Sequence, residues 1–145
     1  MAAAEEVGTG KPALYEAIGR ERVAYVVDDF YARVRKHPAL AEPFAVVADW
    51  DEHKARMTHY WWRSLGGPRY RPYRYEVMAR HEPVEVSQDL LKAWLALFAQ
   101  TLREDLPDDL ARPWYERARR IAGSLRVLAE RRNAGQGTAG SAERL

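Results

Sequence analysis

A chain of 145 residues, 47% of them hydrophobic, is long enough for one domain with a substantial core. Its 23 basic and 21 acidic side chains nearly cancel, to a formal +2, which argues against a polycationic nucleic-acid binder. The absence of cysteine excludes disulfides, thiolate metal sites and a cysteine nucleophile, and fits a cytoplasmic setting.

The opening, "MAAAEEVGTGKP", carries acids where a secretory signal would carry bases and then an apolar run. Residues 1–12 therefore read as a flexible leader. No later apolar run approaches the ~18 residues that a bilayer span needs, so neither a membrane nor a nucleic acid is expected as a partner. "PALYEAIG" sets Leu14 and Ile18 four apart and predicts a short helix ending at Gly19. "RERVAYVVDDFYARVRKH" predicts a longer helix, with Val23, Val27, Phe30, Tyr31 and Val34 on one stripe and Pro38 closing it. After a proline-containing turn, "DWDEHKARMTHYWWRSL" predicts a third helix, capped by Asp49 or Asp51 and stopped at Gly66-Gly67-Pro68. Residues 69–80, "RYRPYRYEVMAR", read as a loop and then a short helix. "SQDLLKAWLALFAQTLRE" opens with Ser87 and spaces Leu90, Leu91, Trp94, Leu95 and Phe98 for a helix. "PDDLARPWYERARRIAGSLRVLAERR" supplies the last one, with Ile121, Leu125 and Leu128 on one face and Pro113 kinking or restarting it. The Gly/Ala/Ser-rich residues 133–145 predict a disordered tail. The class is all-α, with one domain over residues 13–132.

Most catalytic patterns are absent. "LGGP" lacks the preceding strand and the following Lys-Ser/Thr of a phosphate loop, and no serine occupies a nucleophile elbow. His53 and His59 lie about 240° apart around a helix, which rules out a two-histidine metal site. His37, beside Pro38, reads as a solvated helix end. His81, in "MARHEPVEV", stands ahead of Pro83, where a helix must stop. An axial iron ligand suits such a place, because the ring can turn onto the metal while its Nδ1–H donates to a carbonyl. His53 shares a helical stripe with Met57, Tyr60 and Trp61. A flat, apolar ligand with a polar reactive centre would want such neighbours. Each residue also has a plainer reading. A lone histidine is more often a core or surface imidazole, and Trp94 alone is more often core. Tyr60, Trp61 and Trp62 cannot all face one ligand, and Trp62 is the one assigned to ordinary core or partner surface. The "RARR" and "AERR" runs read as solvated helix faces.

Several landmarks fall in a familiar order. "LYEAIG" is followed by "FYARVRKHPAL", then Phe44, "YWWRSLGGP", "RHEPVEVS" and "KAWLALF". In this order and spacing, residues 13–130 resemble the truncated haemoglobins, the 2-on-2 globins. The Tyr31, Trp94 and His53 set is similar to the third subgroup, whereas Gly-Gly-Pro and "RHEP" are similar to the second. The resemblance implies a helical sandwich around haem b, iron protoporphyrin IX. It implies His81 as the proximal iron ligand and Tyr31, His53 and Trp94 as the distal, catalytic set. Phe44, Met57, Tyr60 and Trp61 would pack on the macrocycle, and Arg56 and Arg80 would pair with its propionates. Tyr70 and Tyr73 are weaker candidates for that task. The expected ligands are oxygen, nitric oxide or carbon monoxide, with an unidentified reductase as partner. Nitric oxide dioxygenase or peroxidase-like chemistry is expected rather than oxygen delivery. A haem-based sensor and a cofactor-free helical interaction domain are the alternatives.

Overall fold

The structure, a computed structural model, describes residues 12–73 and 87–144, with side chains beyond Val127 described only at Glu130 and Arg131. The described residues form helices and no strand: α1 Leu14–Ile18, α2 Arg20–Val34, a 3-10 turn Pro43–Val46, α3 Trp50–Ser64, α4 Gln88–Asp105 and α5 Asp108–Arg144.

Local chemistry sets most of these boundaries. Gly19, with φ +84°, lets the chain turn from α1 directly into α2. Asp49 is the cap of α3, its carboxylate accepting the Glu52 N–H at 3.1 Å. Ser87 caps α4 in the same way through the Leu90 N–H at 3.0 Å. Gly66, with φ +105°, ends the turn after α3. The next residue, Gly67, lies so close to the Trp62 indole that a Cβ there would overlap the ring. The Trp62 Nε1–H donates to the Pro68 carbonyl at 2.9 Å, so Trp62 is indeed core and also ties down the chain leaving α3.

Pro113 lies within α5 rather than restarting it. It falls in the second turn, where it forgoes the hydrogen bond to the Asp109 carbonyl and its ring crowds that carbonyl. The buried face of α5 is Ala111, Trp114, Ala118, Ala122 and Leu125. The expected stripe is therefore offset: Leu125 belongs to it, Ile121 is half-buried at its edge, and the Leu128 side chain lies outside the described residues. The backbone carries α5 to Arg144, across the stretch whose composition predicts disorder.

Helix α2 packs on α3, α5 packs on α4, and α2 joins the two pairs by packing on α4. This is a two-on-two arrangement of long helices, with the short α1 bridging α2 and α5. Every residue of the expected α2 stripe is buried, and so is Val26. At the centre sits Phe98, wholly buried and touched by four rings. Trp61 and Trp94 stack on it at 5.3 and 5.4 Å, and Phe30 and Trp114 meet it edge-on at 4.9 and 5.8 Å. Such aromatic pairs add about 0.5–1.5 kcal/mol each beyond the area they bury.

Candidate functional site

The 3.6-residue period of α2 places Phe30 and Tyr31 side by side at its core face, and each ring meets a different neighbourhood. Phe30 points toward Trp94 and Phe98 of α4. Tyr31 points toward the 3-10 turn and the start of α3, where it meets Phe44 at 6.0 Å, Trp50 at 5.6 Å and His53 at 4.9 Å between ring centroids. The His53 imidazole stands at 80° to the Tyr31 ring, edge to face. Only 4% of Tyr31 is exposed, and burial pushes its phenol well above the ordinary range. It therefore keeps its proton and can act as a donor.

Trp50 is a member of this cluster that the sequence pattern does not single out. It meets both Tyr31 and His53, the latter at 5.7 Å, and carries the Arg35 guanidinium over its face at 5.0 Å. Its spacing of three residues from His53 on α3 was the available signal.

Trp94 and Tyr31 both meet the Phe30 ring edge-on, at 5.7 Å and 5.1 Å. The phenol and the indole thus share one apolar neighbour. A set of large side chains beside them is only partly buried although packed on the core: Phe44, Met57, Tyr60, Leu90, Trp94 and Leu97. Met57 and Tyr60 follow His53 at helical spacing on α3, and Leu90, Trp94 and Leu97 share one face of α4. On the core side of these stripes Trp61 on α3 and Phe98 on α4 are buried.

Trp61 departs from the expected macrocycle contacts in position: its ring is stacked on Phe98 and tilted against Trp114 at 5.9 Å, inside the aromatic core. Tyr60 meets it at 5.2 Å, and burial raises the Tyr60 phenol too. Arg56 is paired with Glu52 at 3.5 Å and lies over Tyr73 at 4.5 Å. Arg80 and His81 lie outside the described residues.

His59, opposite His53 on α3, is fully buried, and nothing in its sequence context marks it. Its Nε2 accepts the backbone N–H of Tyr70 at 3.1 Å and of Arg71 at 3.2 Å, with Tyr70 edge-on at 4.4 Å and Tyr73 at 5.5 Å. An acceptor nitrogen carries no proton, and burial followed by the charges of Arg69, Arg63, Arg71 and Arg20 lowers its proton affinity further. His59 thus pins the loop after α3. As expected, it shares no site with His53.

A haem pocket requires a partly open apolar rim, hydrogen-bond donors on one side and an imidazole on the other. The rim and the donors are present on α2, α3 and α4, and their chemistry fits the group. Among the described residues no cluster of His, Cys, Asp and Glu could hold a metal ion by itself, and no helix is long and apolar enough to cross a membrane.

Comparison with known proteins agrees with this geometry. The family model described as "Bacterial-like globin" matches residues 13–123. A group 2 truncated hemoglobin of Bacillus subtilis is 33% identical over 93 residues, which span 62% of this chain and 69% of that protein. A group 3 truncated hemoglobin of Campylobacter jejuni is 27% identical over 120 residues, 79% of this chain and 93% of that protein. Among solved structures, a truncated oxygen-avid haemoglobin from Bacillus subtilis superposes with a TM-score of 0.70 at 27% identity, covering 79% of this chain and 98% of that one. The chain belongs to the bacterial-like globin family, with the 2-on-2 fold of the truncated haemoglobins of groups 2 and 3, and is a haem-binding globin for small diatomic ligands.

Proposed function

We propose that the chain holds haem b with His81 as the proximal ligand, and that Tyr31, Trp94 and His53 form the face that meets the diatomic ligand. The observation that carries this reading is the buried Tyr31 phenol, held protonated by its surroundings and edge-on to His53 at 4.9 Å. When bound, haem supplies a redox-active iron with an open position for oxygen, nitric oxide or carbon monoxide. The polypeptide supplies the rest. Phe44, Met57 and Tyr60 offer apolar surface to the ring, and Arg56 and Arg80 offer guanidinium groups to its carboxylates. Tyr31 O–H and Trp94 Nε1–H donate to a ligand that carries partial negative charge, and Phe30 packs against both rings.

Hydrogen bonds to a charged acceptor contribute about 1.5–3 kcal/mol each, and every 1.4 kcal/mol is about tenfold in affinity. Two such donors would make a diatomic ligand leave slowly. Slow release suits nitric oxide dioxygenation or peroxide chemistry better than oxygen delivery, and the oxygen-avid description of the Bacillus subtilis structure accords with it. The test is oxygen dissociation by stopped flow in haem-loaded protein. Tyr31→Phe should accelerate release by about tenfold to a hundredfold, as loss of one charge-assisted donor implies. Trp94→Phe should do likewise. Unchanged release in both variants would overturn the proposed donor roles.

A further inference from the structure

Among the described residues the ion pairs engage Arg33, Lys54, Arg56, Arg112 and Arg119, and none engages Arg20, Arg63, Arg69 or Arg71. These four exposed arginines surround the buried His59, and each repels a proton from it. Three are fixed in place. Arg20 lies over the Tyr70 ring at 3.7 Å, Arg63 Nη1 donates to the Gly67 carbonyl at 3.1 Å, and Arg69 Nη1 donates to the Tyr73 carbonyl at 2.6 Å. Together they place four positive charges on one face of a chain whose formal net charge is only +2.

We propose that this arginine–tyrosine face is the docking surface for the acidic face of an electron-donor protein. Like charges gathered together repel one another, so the arrangement is stabilised when an acidic surface meets it. Arginine and tyrosine are the residues that carry binding energy at protein interfaces, and lysine, depleted at such interfaces, has no part in this patch. The loop that displays them is already ordered by the two hydrogen bonds to His59, which lowers the entropic cost of docking. A chain of formal charge +2 has little excess positive charge for a long polyanion such as nucleic acid, whereas a compact acidic patch meets the arginines alone.

Position supplies the link to electron transfer, and here the inference rests on the haem reading above. Tyr73, 5.5 Å from His59 between ring centroids, also carries the Arg56 guanidinium at 4.5 Å. Arg56 is the proposed partner of a haem carboxylate, so the patch adjoins the edge by which an electron would enter. The step moves one electron from the donor to ferric iron and transfers no atom.

The probe is flavodoxin, an acidic one-electron carrier, titrated into haem-loaded protein and followed by calorimetry and by the rate of ferric reduction. Binding is expected at low salt and should weaken at least about tenfold at high salt, as charge-steered contacts do. The variant R20Q/R63Q/R69Q/R71Q should lose at least about tenfold in affinity and in reduction rate, with its Soret band unchanged. R20Q/R71Q, which removes no side-chain hydrogen bond to the loop, should lose part of both and melt as the parent does. R112Q/R119Q, which removes the same charge as R20Q/R71Q elsewhere, should lose neither. No binding of flavodoxin, equal losses in R112Q/R119Q, or loss only of binding to phosphatidylserine vesicles would each overturn the proposal. Absence of a Soret band would instead overturn the haem reading.

Discussion

Among single residues, Asp105 makes the sharpest claim about energetics. It lies at the end of α4, with its Oδ2 buried and its carboxyl beside that of Asp29 of α2. Arg33 reaches the same group of acids, donating to Asp29 at 3.2 Å and to Glu104 at 2.8 Å. One guanidinium does not balance three carboxylates, so a proton stays. Burial first, and then the neighbouring Asp29 carboxyl, push Asp105 up to about 7, well above the ordinary carboxylate range. A folded-state pKa above the unfolded value means that the native state holds the proton more tightly. The resulting stability is fully present below the unfolded pKa and is lost as pH rises through the folded one. Asp105→Asn keeps a donor without the charge. Its melting temperature relative to the parent should therefore climb as pH rises from about 4 to about 7 and level off above. A gap independent of pH would contradict the shared proton. This pair also shows what a linear chain conceals. Tyr31, His53 and Trp94 were legible because each sits at helical spacing among marked landmarks. Asp29, Asp105, Trp50 and His59 take their meaning from partners on other elements, which no local period announces.

The helices were legible for local reasons. Asp49 and Ser87 sit where an N-cap side chain is needed, and Gly19 and Gly66 adopt positive φ at two of the junctions. The α5 face was less so, because its contacts are made by Ala111, Ala118 and Ala122, small residues whose burial brings α5 close to its neighbours. The turn after α3 offers the strictest test at this scale. Gly67 leaves no room for a methyl group against Trp62, and that indole is held by the Pro68 carbonyl, so it cannot easily withdraw. Gly67→Ala should cost about 1–3 kcal/mol, the usual range for overpacking, measured by denaturant unfolding. Because the same turn leads to the His59-bound loop, the variant should also show faster amide exchange at Tyr70 and Arg71. Parent-like stability would mean that the turn is more accommodating than its packing indicates.

Across the whole molecule, two helix pairs enclose one aromatic core, in which Phe98 is ringed by Phe30, Trp61, Trp94 and Trp114. Packed against that core, Phe44, Met57, Tyr60, Leu90, Trp94 and Leu97 remain partly exposed and are the proposed rim of the haem pocket. The all-α class and the 2-on-2 family were legible in the order of the landmarks, since a globin must place an aromatic turn, a glycine stop and a capped helix at set distances. The proposed site is what the resemblance implies, and its His81 and Arg80 fall outside the residues the structure describes. A ligand that fills the rim stabilises the native state in proportion to its affinity, so loading with haem should raise the melting temperature. The most direct measurement is the absorption spectrum of the haem-loaded protein in its ferric, ferrous and carbonyl forms, for the parent and for His81→Ala. The account predicts a Soret band that shifts on carbon monoxide binding in the parent and is lost or displaced in the variant. No Soret band in the parent, or an identical spectrum in His81→Ala, would contradict it.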